Sequence, residues 1–114
     1  MASSLTNFTS ETQLAVTATS LTTTLSTEKK FIGKVTFTNT SASNVEVTVW
    51  RLLTATTATT GSGGNWLAKK TILPGKVWVC TELMSHTLGN SMEISALAGT
   101  ADVINADLSG VTET

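Results

Sequence analysis

The side chains able to do chemistry in this sequence are few and scattered. His86 is the sole histidine and Cys80 the sole cysteine. A histidine acting as general base needs a second group to orient it. Glu82 precedes His86 by four residues and would touch it only if that segment were helical, which still supplies neither a nucleophile arrangement nor a metal set. Zinc takes four ligands, or three plus water. Asp102 and Asp107 do not follow the alternate-position pattern of a calcium loop. Cys80 lies inside the apolar stretch KVWVCT, where a lone cysteine serves as a small buried hydrophobe; a reactive thiol would need exposure and a lowered pKa. Gly61-Ser62-Gly63-Gly64 lacks the following Lys-Ser/Thr and the strand-to-helix setting of a phosphate loop. The expectation is a non-enzymatic chain with no catalytic residue, no cofactor and no metal.

The residues left to carry function are those that contact other molecules. Trp50, Trp66 and Trp78 each fall in a stretch that alternates like a strand. Two arrangements are open. If Val49, Val77 and Val79 face the core, Trp50 and Trp78 face outward, where exposed aromatics mark an interface. Alternatively, both faces are covered within one domain. Leu5 and Phe8 are apolar side chains in an otherwise polar N-terminal segment and could dock on the body or on a neighbouring subunit. The candidate interface residues are therefore Leu5, Phe8, Trp50, Trp66 and Trp78. The basic pairs Lys29-Lys30 and Lys69-Lys70 read as solvated strand ends or as salt-bridge donors to a neighbour.

These residues must be positioned by strands. FIGKVTFTN places Phe31, Gly33, Val35 and Phe37 on one face, and Ile32, Lys34, Thr36 and Thr38 on the other, a period of two. VEVTVWRLL repeats the pattern with Val45, Val47 and Val49. The two are expected to form a hairpin closed by the polar turn 39–44. QLAVTATS, NWLAKKTIL, KVWVCT, SMEISALA and ADVINADLSG supply further strands, and 58–64 a mobile loop. Pro74-Gly75 has the residues of a tight turn, proline fixing φ and glycine supplying a positive one. Residues 82–88 are the one place for a short helical turn. The expected fold is all-β: a small antiparallel β-sandwich of six to eight strands, immunoglobulin-like or jelly-roll-like. Residues 1–12 form an N-terminal arm, 13–110 the sandwich domain and 111–114 a loose tail.

Composition narrows the partners. The 114 residues, one domain's worth, carry a net charge of -1, with 13% charged residues, about half the usual fraction. Threonine and serine fill the gap, with 24 and 12 copies. No basic field exists for a phosphate backbone, so no nucleic-acid partner is expected. No apolar run reaches the ~20 residues of a membrane helix, and Met1-Ala2-Ser3-Ser4 does not begin a secretory signal; no membrane partner is expected. Weak charge gives weak colloidal repulsion, which suits a subunit held in an assembly.

The succession FIGKVTFTNTSASNVEVTVWRLL, a glycine-rich loop, NWLAKKTILPGKVWV, LGNSMEISA and ADVINADLSGVTET resembles the small β-sandwich structural proteins of tailed bacteriophages. The resemblance runs over residues 13–110. Its most suggestive piece is ILPGKVWV followed by the Gly89-Asn90 turn and MEISA, where such proteins often have Gly-Asp. It implies a virion component of the tail, neck or capsid surface that assembles as a homo-oligomer or with other virion structural proteins, in rings or trimers, without catalysis. A host-surface or carbohydrate-binding adhesin module is the alternative.

Overall fold

The computed structural model describes residues 3–17, 19–53 and 67–114, with the side chains of 9–11, 52 and 53 left aside. The expected loop at 58–64 and Trp66 lie outside the described residues. Among those described there are nine strands: β1 (Ser3–Gln13), β2 (Thr19–Thr23), β3 (Lys29–Asn39), β4 (Val45–Leu53), β5 (Ala68–Ile72), β6 (Val77–Val79), β7 (Thr87–Leu88), β8 (Met92–Ala98) and β9 (Ile104–Glu113). One sheet has the order β1-β9-β3-β6 with β7 also paired to β3; the other has β2-β8-β4-β5. Every pairing is antiparallel.

The fold class is the small antiparallel β-sandwich, and the strand order selects between its two versions. In an immunoglobulin-type sandwich the first two strands lie side by side in one sheet. Here β1 pairs with β9 and β2 with β8, while β4 pairs with β5. The first half of the chain is thus matched antiparallel to the second half, and the ribbon is wrapped so that its pairs fall alternately in two sheets. That is the jelly-roll arrangement.

β3 and β4 do not form the expected hairpin, because they belong to different sheets. The polar turn 39–44 carries the chain across the sandwich, and buried Asn39 holds the crossing. Its Nδ2 donates to Ser43 O at 2.8 Å and Ile72 O at 2.9 Å, while its Oδ1 accepts from Ser41 N at 2.9 Å and Ser41 Oγ at 2.8 Å. The main chain of Asn39 is satisfied as well, donating to Lys76 O and accepting from Gly75 N, each at 3.0 Å. The Pro74-Gly75 turn forms as expected. Gly75 has φ 71° and Lys76 N donates to Leu73 O at 3.1 Å. It too connects one sheet to the other.

The core lies between the sheets. Ile32, Val35, Phe37, Ile104, Ala106 and Leu108 come from the five-stranded side; Val45, Val47, Val49, Ile94, Ala96 and Ala98 come from the four-stranded side. Leu14, Leu83 and Leu88 close its ends. The helical turn expected near residues 82–88 is a single turn slightly earlier, with Leu83 N and Met84 N both donating to Cys80 O. Ser85, at φ 69°, ends it.

Of residues 1–12, read from sequence as an arm, 3–12 belong to β1, which pairs with β9 from Ser3↔Glu113 to Gln13↔Asn105. The same pairing carries β9 to Glu113, so most of the expected loose tail is strand. The reason is the threonine and serine content of both segments. Small β-branched and hydroxyl side chains suit a pleated surface whose outer face meets water.

Candidate functional site

The outer face of the five-stranded sheet is set by one irregularity. Register slips between Ile32 and Lys34, where Ile32 faces Gly110 and Lys34 faces Ser109. Gly33 is the extra residue of a β-bulge. Past the bulge Val35 and Phe37 point inward, as the period of two predicts. Before it the phase inverts: Ile32 is fully buried and Phe31 is 44% exposed. The expected face containing both Phe31 and Phe37 is therefore split. Gly110 permits the close approach, since a Cβ there would fall inside the Phe31 carbonyl oxygen and within 2.9 Å of Gly33 N.

Directly paired residues of an antiparallel sheet share a face, so outward-turned Phe31 defines a row. Leu5 pairs with Val111, Val111 with Phe31, and Phe31 with Thr87. Leu5 is 89% exposed at the sheet edge. At the other end of the row, a cleft of about 420 Å³ is lined by Phe31, Thr87, Leu88, Val111, Lys29 and Glu113, with Lys30 and Gly89 beside them. The neighbouring row, Ser3–Glu113–Lys29, supplies one carboxylate and one ammonium. Farther along, Asn7–Ser109–Lys34, Asp107–Thr36–Val79 and Asn105–Thr38–Val77 continue the face. It is dominated by short polar and apolar side chains, with the Lys29 and Glu113 pair in one row and Lys34 and Asp107 as single charges in two others. A second hollow of about 410 Å³ is lined by Leu5, Thr6, Asn7, Ser109 and Gly110.

The sequence-derived candidates separate. Leu5 is on this face. Phe8 turns inward at a register slip of β1 and packs against the core. Lys30 Nζ sits 5.1 Å from the centre of the Phe8 ring. The same ammonium donates to Thr22 Oγ1 at 2.8 Å and Thr23 O at 2.6 Å, so Lys30 ties the two sheets together.

Trp78 is buried and Val77 and Val79 are 55% and 43% exposed, the reverse of the outward-tryptophan arrangement. Trp78 pairs with Phe37, which already faces the core, and their rings lie 5.5 Å apart at 32°. Burying one indole removes more apolar surface from water than burying a valine. Trp50 does take the outward phase of β4, yet it is buried beside Thr48 and Ser95. Both faces of β4 are covered there, and Trp50 Nε1 has no hydrogen-bond partner among the described residues. Trp50 and Trp78 are thus buried within the chain and not exposed interface residues.

The residues of this face missed from sequence are exposed Phe31, Val77 and Val79, together with half-buried Val111. The available signal was Gly33, since a glycine inside a strand often marks a bulge, and a bulge inverts the faces upstream of it.

His86 enters the structure through its main chain, with N donating to Leu83 O at 3.2 Å and O accepting from Ile32 N at 2.9 Å. Cys80 is fully buried. Burial pushes its thiol up to about 11, opposed by a backbone hydrogen bond at Leu83 and aided by the Glu82 charge. The thiol is thereby removed from nucleophilic use at neutral pH. Among the described residues no group of three or more His, Cys, Asp or Glu is placed to hold a metal ion. No helix among them is long and apolar enough to cross a membrane.

No protein-family model matches the chain, and no curated protein matches it by sequence. Among solved structures, a chain of the T13 IBDV viral particle is similar over 97% of this chain and 30% of its own, with 10% identity and a TM-score of 0.49. This chain therefore spans about a third of that chain's length.

Proposed function

We propose that this chain is a non-enzymatic structural subunit of a virion that assembles with copies of itself or with other virion proteins. The observation that carries the reading is the outer face of the five-stranded sheet. An apolar row crosses three strands there, on a surface with little charge to oppose contact. Exposed apolar surface rimmed by polar residues is what an interaction site requires. The jelly-roll order adds an analogy at the level of fold, because this architecture recurs in viral capsid and lectin domains. The resemblance over 13–110 to the small sandwich proteins of tailed bacteriophages directs the proposal to the tail, neck or capsid surface of a phage. Immunogold electron microscopy of purified particles with antibody against the chain tests it. Label at a fixed position on the particle is expected; unlabelled particles beside labelled cell debris would contradict it.

A carbohydrate-binding module is the second reading. The cleft at Phe31 favours it, since an aromatic ring there stands beside the Thr87 hydroxyl and the Glu113 carboxylate, polar groups of the kind a sugar site uses to fix orientation. A glycan array decides this branch: binding abolished by Phe31→Ala supports it, and no binding removes it.

A further inference from the structure

We infer that the free edge of β1 is a pairing site for β1 of a second copy of this chain, the two strands running antiparallel about a two-fold axis at Leu5 and joining the five-stranded sheets of both copies into one. This rests on the assembly reading above and specifies its contact.

An edge strand presents main-chain N–H and C=O groups that fit another strand, and folded proteins blunt such edges with short strands, lysine, proline or bulges. The other strands that end the two sheets are blunted in this way. β5 carries exposed Lys69 and Lys70. β6 and β7 are three and two residues long. β2 is five residues long, and Lys30 Nζ is bonded to its Thr22 Oγ1 and Thr23 O. β1 is eleven residues long, contains neither lysine nor proline, and among the described residues is paired on one side alone, with β9. Its register slips begin beyond Asn7, so residues 3–7 form a regular stretch of edge. Ser3, Ser4, Leu5 and Asn7 are exposed on it.

The chemistry of residues 3–7 points to the same residues of a second copy as the occupant. A two-fold at Leu5 pairs Leu5 with Leu5, Ser4 with Thr6 and Ser3 with Asn7, each contact being made twice as an isologous interface requires. No charged side chain lies among Ser3, Ser4, Leu5, Thr6 and Asn7, so no like charges meet across the seam. Leu5, 89% exposed in the lone chain, packs on its counterpart, and the row Phe31–Val111–Leu5 runs on into the same row of the second copy. Cross-strand hydroxyl pairs such as Ser4 with Thr6 are favourable as well. The row Lys29–Glu113–Ser3 continues into Asn7–Ser109–Lys34 of the second copy. The two Glu113 carboxylates are then at least three strand spacings apart, about 14 Å, beyond the screening length of about 8 Å at physiological ionic strength. A charged residue opposite Leu5 in an unrelated strand would forfeit this match. The pairing uses the free edge of both β1 strands, so it closes at two copies and does not propagate.

Cysteine cross-linking of the full chain tests the register. Chain carrying Ser3→Cys is mixed with chain carrying Asn7→Cys under mild oxidation, and each variant alone is the control. The pairing sets Ser3 opposite Asn7 with Cβ atoms about 5 Å apart, close to the span of a disulfide. It leaves the two copies of Ser3, and likewise those of Asn7, four residues out of register, about 14 Å apart. Cys80 is fully buried and does not compete. The expected result is a disulfide-linked dimer formed at least tenfold faster in the mixture than in either variant alone. Equal rates would overturn the inference. Sedimentation of the unmodified chain separates the two levels. Association with equal cross-linking rates removes this contact and leaves the assembly reading standing, whereas a strict monomer with equal rates removes both. Circular dichroism of each variant confirms that the strands are retained.

Discussion

Gly110 and Gly33 face each other across the bulge and are predicted to respond differently to one added methyl. At Gly110 the Cβ would collide with main chain at Phe31 and Gly33, neither of which can rotate away. Gly110→Ala should therefore lower the unfolding free energy by about 3 kcal/mol, the upper range for overpacking. At Gly33 the nearest atoms are Ser109 O at 3.4 Å and Gly110 Cα at 3.5 Å. Gly33→Ala should stay within about 0.5 kcal/mol of the parent. Urea unfolding of both variants checks the contrast, and equal losses would contradict the bulge geometry. Cys80 gives a pH prediction at the same scale. Its thiol is held at about 11 in the folded chain against a reference of 9.0. Between those values the folded state keeps a proton that the unfolded state releases, so stability falls as pH rises from 9 towards 11 and is unaffected by this group below that window. The difference in unfolding free energy between the parent and Cys80→Ala, followed across the same window, isolates the effect from lysine titration. Burial of Cys80 was legible in its apolar neighbours. The inward turn of Trp78 was not, because VWV has no preferred phase until Phe37 is opposite it.

The element that decides the topology is the crossing from β3 to β4, and Asn39 is its fastener. Removing the carboxamide would strand Ile72 O inside the protein and release Ser41 and Ser43 from the turn. Asn39→Ala should cost about 3 kcal/mol, given about 1–3 kcal/mol for each buried polar group left unpaired. Asn39→Asp keeps the two acceptor contacts but turns a carboxylate towards the carbonyls of Ser43 and Ile72. It should also be destabilised at neutral pH and recover in part on acidification, when a protonated carboxyl can donate once. Thermal unfolding at two pH values measures both, and a pH-independent Asn39→Asp would contradict the donor role of Nδ2. Strands β3, β4 and β8 were legible from alternation, although the bulge at Gly33 splits the apolar face of β3, and β4 and β8 bury residues of both faces. Their partners were not. A six-residue polar turn fits a hairpin and a sheet-to-sheet crossing equally well, and only the side-chain bonding of Asn39 distinguishes them. β1 was hidden for a related reason: SSLTNFTSETQ has too few apolar residues to alternate, and its strand character comes from pairing with β9 nearly a hundred residues away.

For the whole molecule, the scarcity of charge is the feature that links sequence to assembly. With 13% charged residues and a net charge of -1, long-range repulsion between copies is small. The outer face of one sheet adds an apolar row with exposed Leu5 at one end and a cleft at the other. Because the candidate contact is mostly apolar, added salt should weaken it little, unlike an association driven by exposed opposite charges. The assembly claim is tested most directly by sedimentation equilibrium of the purified full chain over rising concentration. The account predicts a weight-average mass that climbs above the 11.9 kDa of one chain and falls back towards it in Leu5→Asp. A mass that stays at 11.9 kDa up to about 1 mM, where even a contact worth about 4 kcal/mol is populated, would contradict it.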